Sequence, residues 1–195
     1  MEALDAIYTR RAIRSFTDER PSRKIVEQLL DAAAQAPSAM NLQPWEFVVI
    51  QDTDALDYIS SHCREFILDI TPPDSPQQVA RGMLMDDAFD IFYDATTLIA
   101  ICATGPGTIE AEDCFLAAQN LMLAAHAIGL ATCPIGFARP WLNTEEAKRY
   151  LRIPTRCSPA FPLILGYPKD IPPPRGRRAP RITLWRETKP ANTLA

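Results

Sequence analysis

The stretch from Pro37 to Ile50, PSAMNLQPWEFVVI, joins the end of one predicted helix to the start of a strand. The helix is predicted upstream, where Ser22 can cap it and apolar residues follow at helical spacing. The run Trp45–Ile50 is almost continuously apolar, which is typical of a strand covered on both faces. Between helix and strand, Asn41 and Gln43 offer both donors and acceptors, which suit the polar edge of a heteroaromatic ring.

Outside that stretch, predicted strands alternate with predicted helices. Strands are expected at 95–103, 131–135 and 160–167, and helices at 4–8, 54–68, 109–130 and 143–151. Another helical stretch is expected to end at Phe89, Phe92 and Tyr93, Asn143 is the expected N-cap of the 143–151 helix, and the proline-rich 71–78 is expected to be a loop. Without an Asn-Gly hairpin signal, this alternation predicts one domain over 1–195, with an α/β or α+β sheet between helices.

The charge is unevenly distributed along the chain. The 195 residues are 47% hydrophobic and carry a net charge of −4, which excludes disordered and coiled-coil classes. The formal net charge is +2 over residues 1–24, −11 over residues 25–168 and +5 over residues 169–195. Nucleic acid is not an expected partner, because the overall field is acidic. Basic ends on an acidic body indicate either solvated ends or two segments that converge on a small anion.

Localisation is predicted from the cysteines and from the first residues. The five cysteines form no zinc-ligand spacing and no even disulfide set, so we expect buried, reduced thiols in a cytoplasmic protein. MEALDAIYTRR carries acids where a secretory signal has basic residues. The apolar run 114–130 is shorter than the roughly 20 residues of a membrane helix and contains polar residues, so we expect a buried helix and no membrane partner.

Side chains for acid–base or metal chemistry are scarce. No Walker loop, GxGxxG or GxSxG motif is present, and the only histidines are His62 and His126. His126 is predicted to be a hydrogen-bonded core histidine and Cys133 a structural thiol, so no metal site is expected. An enzyme with so few acid–base residues is expected to take its chemistry from a cofactor.

Two segments of the sequence together indicate a function more specifically than either segment does alone. Residues 10–16, RRAIRSF, bring three arginines, the side chain that grips phosphate in a fixed fork, and the polar loop PSAMNLQPW follows about twenty residues later. Together they closely resemble the nitroreductase family of FMN-dependent oxidoreductases, which typically reads RRSIRxF and then APSAxNxQPWxF. Residues 113–136, DCFLAAQNLMLAAHAIGLATCPIG, resemble the family's central helix and next strand, and residues 165–168 and 178–180 its closing elements.

The resemblance implies an α+β fold with a central mixed, mainly antiparallel sheet flanked by helices. It also implies an intertwined homodimer with FMN at the interface. By motif matching, the expected cofactor-binding residues are Arg10, Arg11, Ala12, Arg14, Ser38, Ala39, Met40, Asn41, Gln43, Pro134, Ile135, Gly136 and Arg178. The resemblance places Ser38 to Asn41 on the partner chain's flavin and the Gly136 backbone N–H at flavin N5. It places Arg10, Arg14 and Arg178 at the ribityl phosphate and nearby flavin atoms. Ala12 departs from the pattern, because the family commonly has a phosphate-binding Ser there.

The implied activity is a ping-pong reaction, in which NAD(P)H passes hydride to flavin N5 and a nitroaromatic, quinone or related unsaturated small molecule is then reduced. No catalytic side chain is obligatory in this scheme. A specialised family activity, such as flavin destruction, dehalogenation or dehydrogenation, stays open, as does a non-catalytic flavin-binding dimer.

Overall fold

The computed structural model describes residues 1–72, 78–86, 89–105, 107–174 and 176–187. The helices within these ranges are α1 (Ala3–Thr9), α2 (Arg23–Ala34), α3 (Thr53–Ile70), α4 (Gln78–Leu84), α5 (Thr108–Ala127), α6 (Ala138–Leu142) and α7 (Glu145–Tyr150). The strands are β1 (Trp45–Ile50), β2 (Thr97–Thr104), β3 (Ala131–Pro134) and β4 (Cys157–Gly166). A 3₁₀ turn, Ala39–Asn41, precedes β1. The predicted α+β class is confirmed.

The four strands form one sheet in the order β1–β2–β4–β3, and each neighbouring pair is antiparallel. A parallel bridge between Ala12 and Thr132 adds the N-terminal segment to the outer edge of β3. There the Ile13 N–H donates to the Thr132 carbonyl at 3.1 Å. Within the described ranges the sheet is therefore antiparallel except at this edge.

Helices cover both faces of the sheet, as the alternation of elements predicts. Successive side chains of β2 point to opposite faces, and both sets are fully buried. Leu98, Ala100 and Cys102 join a core that includes residues of α3 and α6, whereas Ile99, Ile101 and Ala103 join a core that includes residues of α2 and α5. The sheet is therefore the middle of three layers, and the candidate site lies at the edges of this sheet.

β1 forms over the predicted residues but is less covered than expected. Only Ile50 of this strand is fully buried, and Val49 is exposed. The prediction that both its faces are covered is wrong for the single chain, because β1 is an edge strand with β2 as its one neighbour. The fully buried central strand is β2 instead.

Local predictions around the short helices need correction. The N-cap of α7 is Thr144, whose side chain accepts from Ala147 N–H. Asn143 ends α6, and its amide donates to the carbonyls of Arg139 and Pro159. The α6 helix was not predicted, because it contains Pro140 and a proline usually indicates that a helix is interrupted.

The helix expected to end at Phe89, Phe92 and Tyr93 ends at Leu84 instead. Residues 91–94 form a turn, in which the Asp90 carboxylate accepts backbone N–H groups that a helix would use. Residues 73–77 of the expected 71–78 loop lie outside the described residues, and Gln78 begins α4.

All five cysteines are buried and free, so the prediction of buried, reduced thiols is confirmed. No helix formed by the described residues has the length and apolar character needed to cross a membrane.

Candidate functional site

The N-terminal motif Arg10–Phe16 lies along the outer edge of β3, where two buried side chains anchor it. Ile13 and Phe16 are in the core. Phe16 lies against Gly166 so closely that a Cβ at Gly166 would be 2.9 Å from the Phe16 ring, so glycine is needed there. Anchored in this way, the motif leaves Arg14 exposed and Arg10 half-buried beside the sheet.

A cavity of about 440 Å³ opens beside this motif. It is lined by Arg11, Ala12, Arg14, Ser15, Asp170, Ile171, Pro172, Pro173 and Arg177. Burial lowers the pKa of the Arg10 guanidinium, and the charges of Arg177 and then Arg11 lower it further. Three arginines, Arg11, Arg14 and Arg177, line the cavity itself, and this concentration of positive charge favours an anionic ligand.

Two polar groups of the motif already have partners within the chain. Arg11 Nη1 donates to the carbonyls of Tyr8 and Arg10, at 2.8 and 2.9 Å, which holds this side chain against the end of α1. Ser15 Oγ donates to the Asp170 carboxylate at 2.8 Å. Arg14 and Arg177 are therefore the arginines of this cavity best placed for an anion, and Arg10 precedes Arg11 in the same motif.

A second cavity, of about 210 Å³, shares Arg14 with the first. Its lining also includes Tyr93, Cys133, Ile91, Phe137 and the segment Pro134–Gly136. A Cβ built on Gly136 would meet no atom within 4 Å, so open space lies over this backbone. A flat ring can approach the chain here without displacing a side chain.

The polar loop 38–43 lies at the opposite edge of the sheet, before β1. The Ser38 hydroxyl accepts Gln43 N–H at 2.9 Å, and the buried Asp113 carboxylate of α5 accepts Ala39 N–H at 3.2 Å. Met40, Asn41 and Gln43 all have positive φ, between 49° and 56°, and all three are exposed. The structure thus holds the loop in a strained conformation and presents it outward.

The predicted site residues consequently fall into two groups within one chain. Arg11, Ala12, Arg14, Pro134, Ile135 and Gly136 line the two adjoining cavities, and Arg10 lines a neighbouring cavity that shares Arg11 with the first. Ser38, Ala39, Met40, Asn41 and Gln43 lie across the sheet, three to four strand spacings or roughly 14 to 19 Å away. One chain does not bring the two groups to one ligand.

The C-terminal arginine at the first cavity is Arg177, and the predicted Arg178 is exposed outside that cavity. Motif matching missed Arg177 because neighbouring arginines in an irregular segment are interchangeable in sequence. Tyr93 and Asp113 were also missed. An acid within an apolar helix was the available signal for Asp113, and no sequence signal marked Tyr93.

The titratable groups near the site supply no obvious nucleophile. Burial raises the pKa of the Cys133 thiol, and the charges of Arg14 and Arg10 oppose this only in part. His126 is half-buried, and its Nε2 lies 2.7 Å from Thr9 Oγ1. The Thr9 hydroxyl donates to the Asp5 carbonyl, so we assign the Nε2 proton to the contact between His126 and Thr9. No three His, Cys, Asp or Glu side chains of the described residues are grouped to hold a metal ion.

Comparison with known proteins gives a consistent result. A family model described as the nitroreductase family matches residues 7–167. A protein of Methanothermobacter thermautotrophicus is 30% identical over 175 residues, which span 88% of this chain and 80% of that protein. It is named, provisionally, as an NADH dehydrogenase/NAD(P)H nitroreductase.

Solved structures share the fold. A nitroreductase with bound FMN from Bacteroides fragilis has a TM-score of 0.82 and 23% identity, covering 95% of this chain and all of that one. An FMN-dependent nitroreductase from Clostridium difficile has a TM-score of 0.78 and 25% identity, covering 93% of this chain and 98% of that one.

Proposed function

Since this chain belongs to the nitroreductase family, we propose that it is an FMN-containing oxidoreductase that uses NAD(P)H to reduce nitroaromatic, quinone or related unsaturated acceptors. The observation that carries the proposal is the pair of adjoining cavities that share Arg14. One is lined by arginines and the other by open backbone at Gly136. FMN has two matching parts, because its phosphate suits the cavity lined by arginines and its flat ring suits the cavity over the open backbone.

The residues present fit FMN at both ends. The like charges of Arg10 and Arg177 lie close enough to lower the Arg10 pKa, and a phosphate dianion would relieve that repulsion. The space over Gly136 leaves room for the ring, which a larger residue would restrict. Ala12 supplies no hydroxyl for the phosphate, which leaves more of the binding to the arginines.

When bound, FMN would supply the redox chemistry that links NAD(P)H oxidation to reduction of the acceptor. The chain's own part is to bind and orient. Arg10 and Arg177 hold the phosphate, Arg14 places a permanent positive charge between the phosphate and ring cavities, and the Gly136 N–H is the donor we assign to flavin N5. No side-chain acid or base is required in this scheme.

We further propose that the active unit is a homodimer. The sheet separates the loop 38–43 from the cavities of its own chain, so we assign the loop of a second copy to them. Apolar side chains on α5 support this arrangement, since Ile109, Phe115 and Leu116 are exposed. Such a helix is typical of a surface that another chain covers. The five free cysteines favour a reducing compartment, and we place the enzyme in the cytoplasm.

The proposal is tested by an absorption spectrum of the purified protein, followed by anaerobic addition of NADPH and then NADH. We expect a flavin spectrum that either nucleotide bleaches and that returns when a nitroaromatic or a quinone is added. A colourless protein that still binds no FMN after reconstitution would contradict the cofactor assignment. A bound flavin that neither nucleotide bleaches would contradict the reductase assignment and leave the cofactor assignment standing.

A further inference from the structure

The turn before β2 holds two non-glycine residues in the left-handed region. Tyr93 has a φ of 54° and Asp94 a φ of 60°. A bulky side chain rarely adopts this conformation, and such residues persist only where the surrounding structure fixes them. The turn therefore places the Tyr93 side chain where a relaxed backbone would not.

Hydrogen bonds to the Asp90 side chain hold this turn in its conformation. Its carboxylate accepts Phe92 N–H at 2.9 Å and Asp94 N–H at 2.8 Å. The same carboxylate accepts the Ser60 hydroxyl of α3 at 2.6 Å, which ties the turn to the helical layer. The conformation of Tyr93 is thus set by a side chain that does not itself line the second cavity.

The turn presents the Tyr93 ring to Arg14. The Arg14 guanidinium carbon lies 5.8 Å from the ring centroid, within the reach of a cation–π interaction. Phe89 packs edge-on against the same ring, with 5.6 Å between centroids. Arg14 forms no ion pair with any acid in the described ranges, and its guanidinium lies over the Tyr93 ring.

Both side chains line the 210 Å³ cavity that also contains the Pro134–Gly136 backbone. Building on the proposed function, we propose that Tyr93 is a positioning residue, whose ring holds the Arg14 charge at the flavin edge and so strengthens the binding of reduced FMN relative to oxidised FMN. A guanidinium charge so fixed stabilises negative charge that develops on the ring during reduction.

The chemistry of the pair suits this role. Burial raises the pKa of the Tyr93 hydroxyl, which keeps the phenol neutral at ordinary pH. A neutral ring attracts the cation through its face without pairing with it as an anion. Arg14 therefore keeps its net charge for the ligand while its position is restricted.

The test is the midpoint potential of the FMN-loaded protein, measured by equilibration with a reference dye at saturating FMN. Tyr93→Gly removes the ring and relieves the left-handed strain, so this variant is expected to fold. We expect reduced FMN to lose twofold to fivefold in affinity relative to oxidised FMN, a drop of about 9 to 21 mV for a two-electron couple. Tyr93→Phe keeps the ring and is expected to restore the wild-type potential.

A double-mutant cycle separates positioning from direct contact with the cofactor. In an Arg14→Met background, we expect Tyr93→Gly to cause no further shift in potential, because its effect passes through Arg14. Tyr150→Leu is the matched control, since it removes a ring that stacks on Tyr58 outside the second cavity. Its potential is expected to equal that of the wild type.

Three results would overturn the inference. They are an unchanged potential in Tyr93→Gly, an equal shift in Tyr93→Phe, and a Tyr93→Gly shift that persists in the Arg14→Met background. Each leaves the proposed function intact, because the wild-type protein still holds a reducible flavin. A wild-type protein that binds no FMN would instead refute the proposed function, and this inference with it.

Discussion

The charge of Arg177, from the irregular segment after β4, lowers the pKa of the Arg10 guanidinium in the N-terminal motif, which burial also lowers. Neither arginine forms an ion pair with an acid of the described residues. These two like charges therefore repel each other, Arg177 at the first cavity and Arg10 at the neighbouring cavity that shares Arg11 with it. The chain therefore carries electrostatic repulsion that a bound phosphate would remove.

Arg177 and Arg178 provide a matched pair of variants for this site. Arg177→Ala is expected to weaken FMN binding roughly tenfold to a hundredfold, because a hydrogen bond to a charged group contributes about 1.5–3 kcal/mol. Arg178→Ala is expected to change it by less than about threefold, since this side chain is outside the cavity. Quenching of FMN fluorescence measures both affinities. A larger loss in Arg178→Ala would support the motif match over the observed geometry.

A substitution at Gly136 is expected to affect cofactor binding strongly and the stability of the fold very little. Gly136→Val is expected to change the unfolding free energy of the cofactor-free protein by no more than about 0.5 kcal/mol, since a Cβ there meets nothing within 4 Å. The added side chain fills the space assigned to the ring, so bound FMN is expected to be lost. Urea unfolding and the flavin content of the purified protein measure the two effects.

Gly129 serves as the control for Gly136. It also has free space around a built Cβ, but its φ is +84°, which strains any other residue. Gly129→Ala is expected to destabilise the chain by about 1 kcal/mol and to leave FMN binding close to wild type. The same pattern in both glycine variants would count against the assignment of Gly136.

Ala12 lines the arginine-rich cavity at the position where the family commonly has serine. Ala12→Ser is expected to tighten FMN binding about fivefold, because one neutral hydrogen bond contributes on the order of 1 kcal/mol. Ala12→Val adds bulk without a hydroxyl and is expected to give no gain. Equilibrium dialysis with FMN distinguishes these outcomes. Equal affinities in the serine variant and the wild type would mean that the phosphate lies beyond the reach of residue 12.

His126 makes stability depend on pH. Its pKa is lowered by burial first and then by the charges of Arg10 and Arg11, so the folded protein binds a proton less readily than the unfolded chain does. The unfolded state therefore takes up more protons below its pKa of about 6.5, and stability falls as the pH drops below that value. Urea midpoints at about pH 8 and about pH 5.5 measure the loss.

His126→Gln keeps a donor for Thr9 but does not titrate, so its midpoint is expected to fall less on acidification. Added FMN is expected to reduce the loss in the wild type as well, because a phosphate would offset the charges of Arg10 and Arg11. An equal acid response in variant and wild type would assign the effect to other groups.

The sequence allowed correct prediction where local chemistry alone decides the outcome. Ser22 caps α2 as expected, because its hydroxyl accepts Ile25 N–H within one turn. β1 forms over the predicted residues because five of the six residues that follow Pro44 are apolar and β-prone. Its place at the sheet edge was not predictable, since strand order depends on contacts between residues far apart in the chain.

The remaining differences between prediction and structure also arise from contacts between residues far apart in the chain. The Asn143 amide donates to the carbonyl of Pro159, a residue of β4, so Thr144 caps α7 in its place. The turn that carries Tyr93 is held by Asp90, whose carboxylate accepts the Ser60 hydroxyl of α3, 30 residues earlier in the chain. Sequence motifs named the residues of both halves of the proposed site, but they could not choose between Arg177 and Arg178, because only tertiary structure decides which of the two lines the cavity.

The separation of the loop 38–43 from the arginine motif also affects how mutations combine genetically. In the proposed dimer, each site takes its arginines from one chain and its loop from the other. A chain damaged at Arg10 and a chain damaged at Asn41 would each give an inactive homodimer. Their mixed dimer would concentrate both lesions in one site and leave the other intact, so two null alleles of this gene would partly complement each other when expressed together.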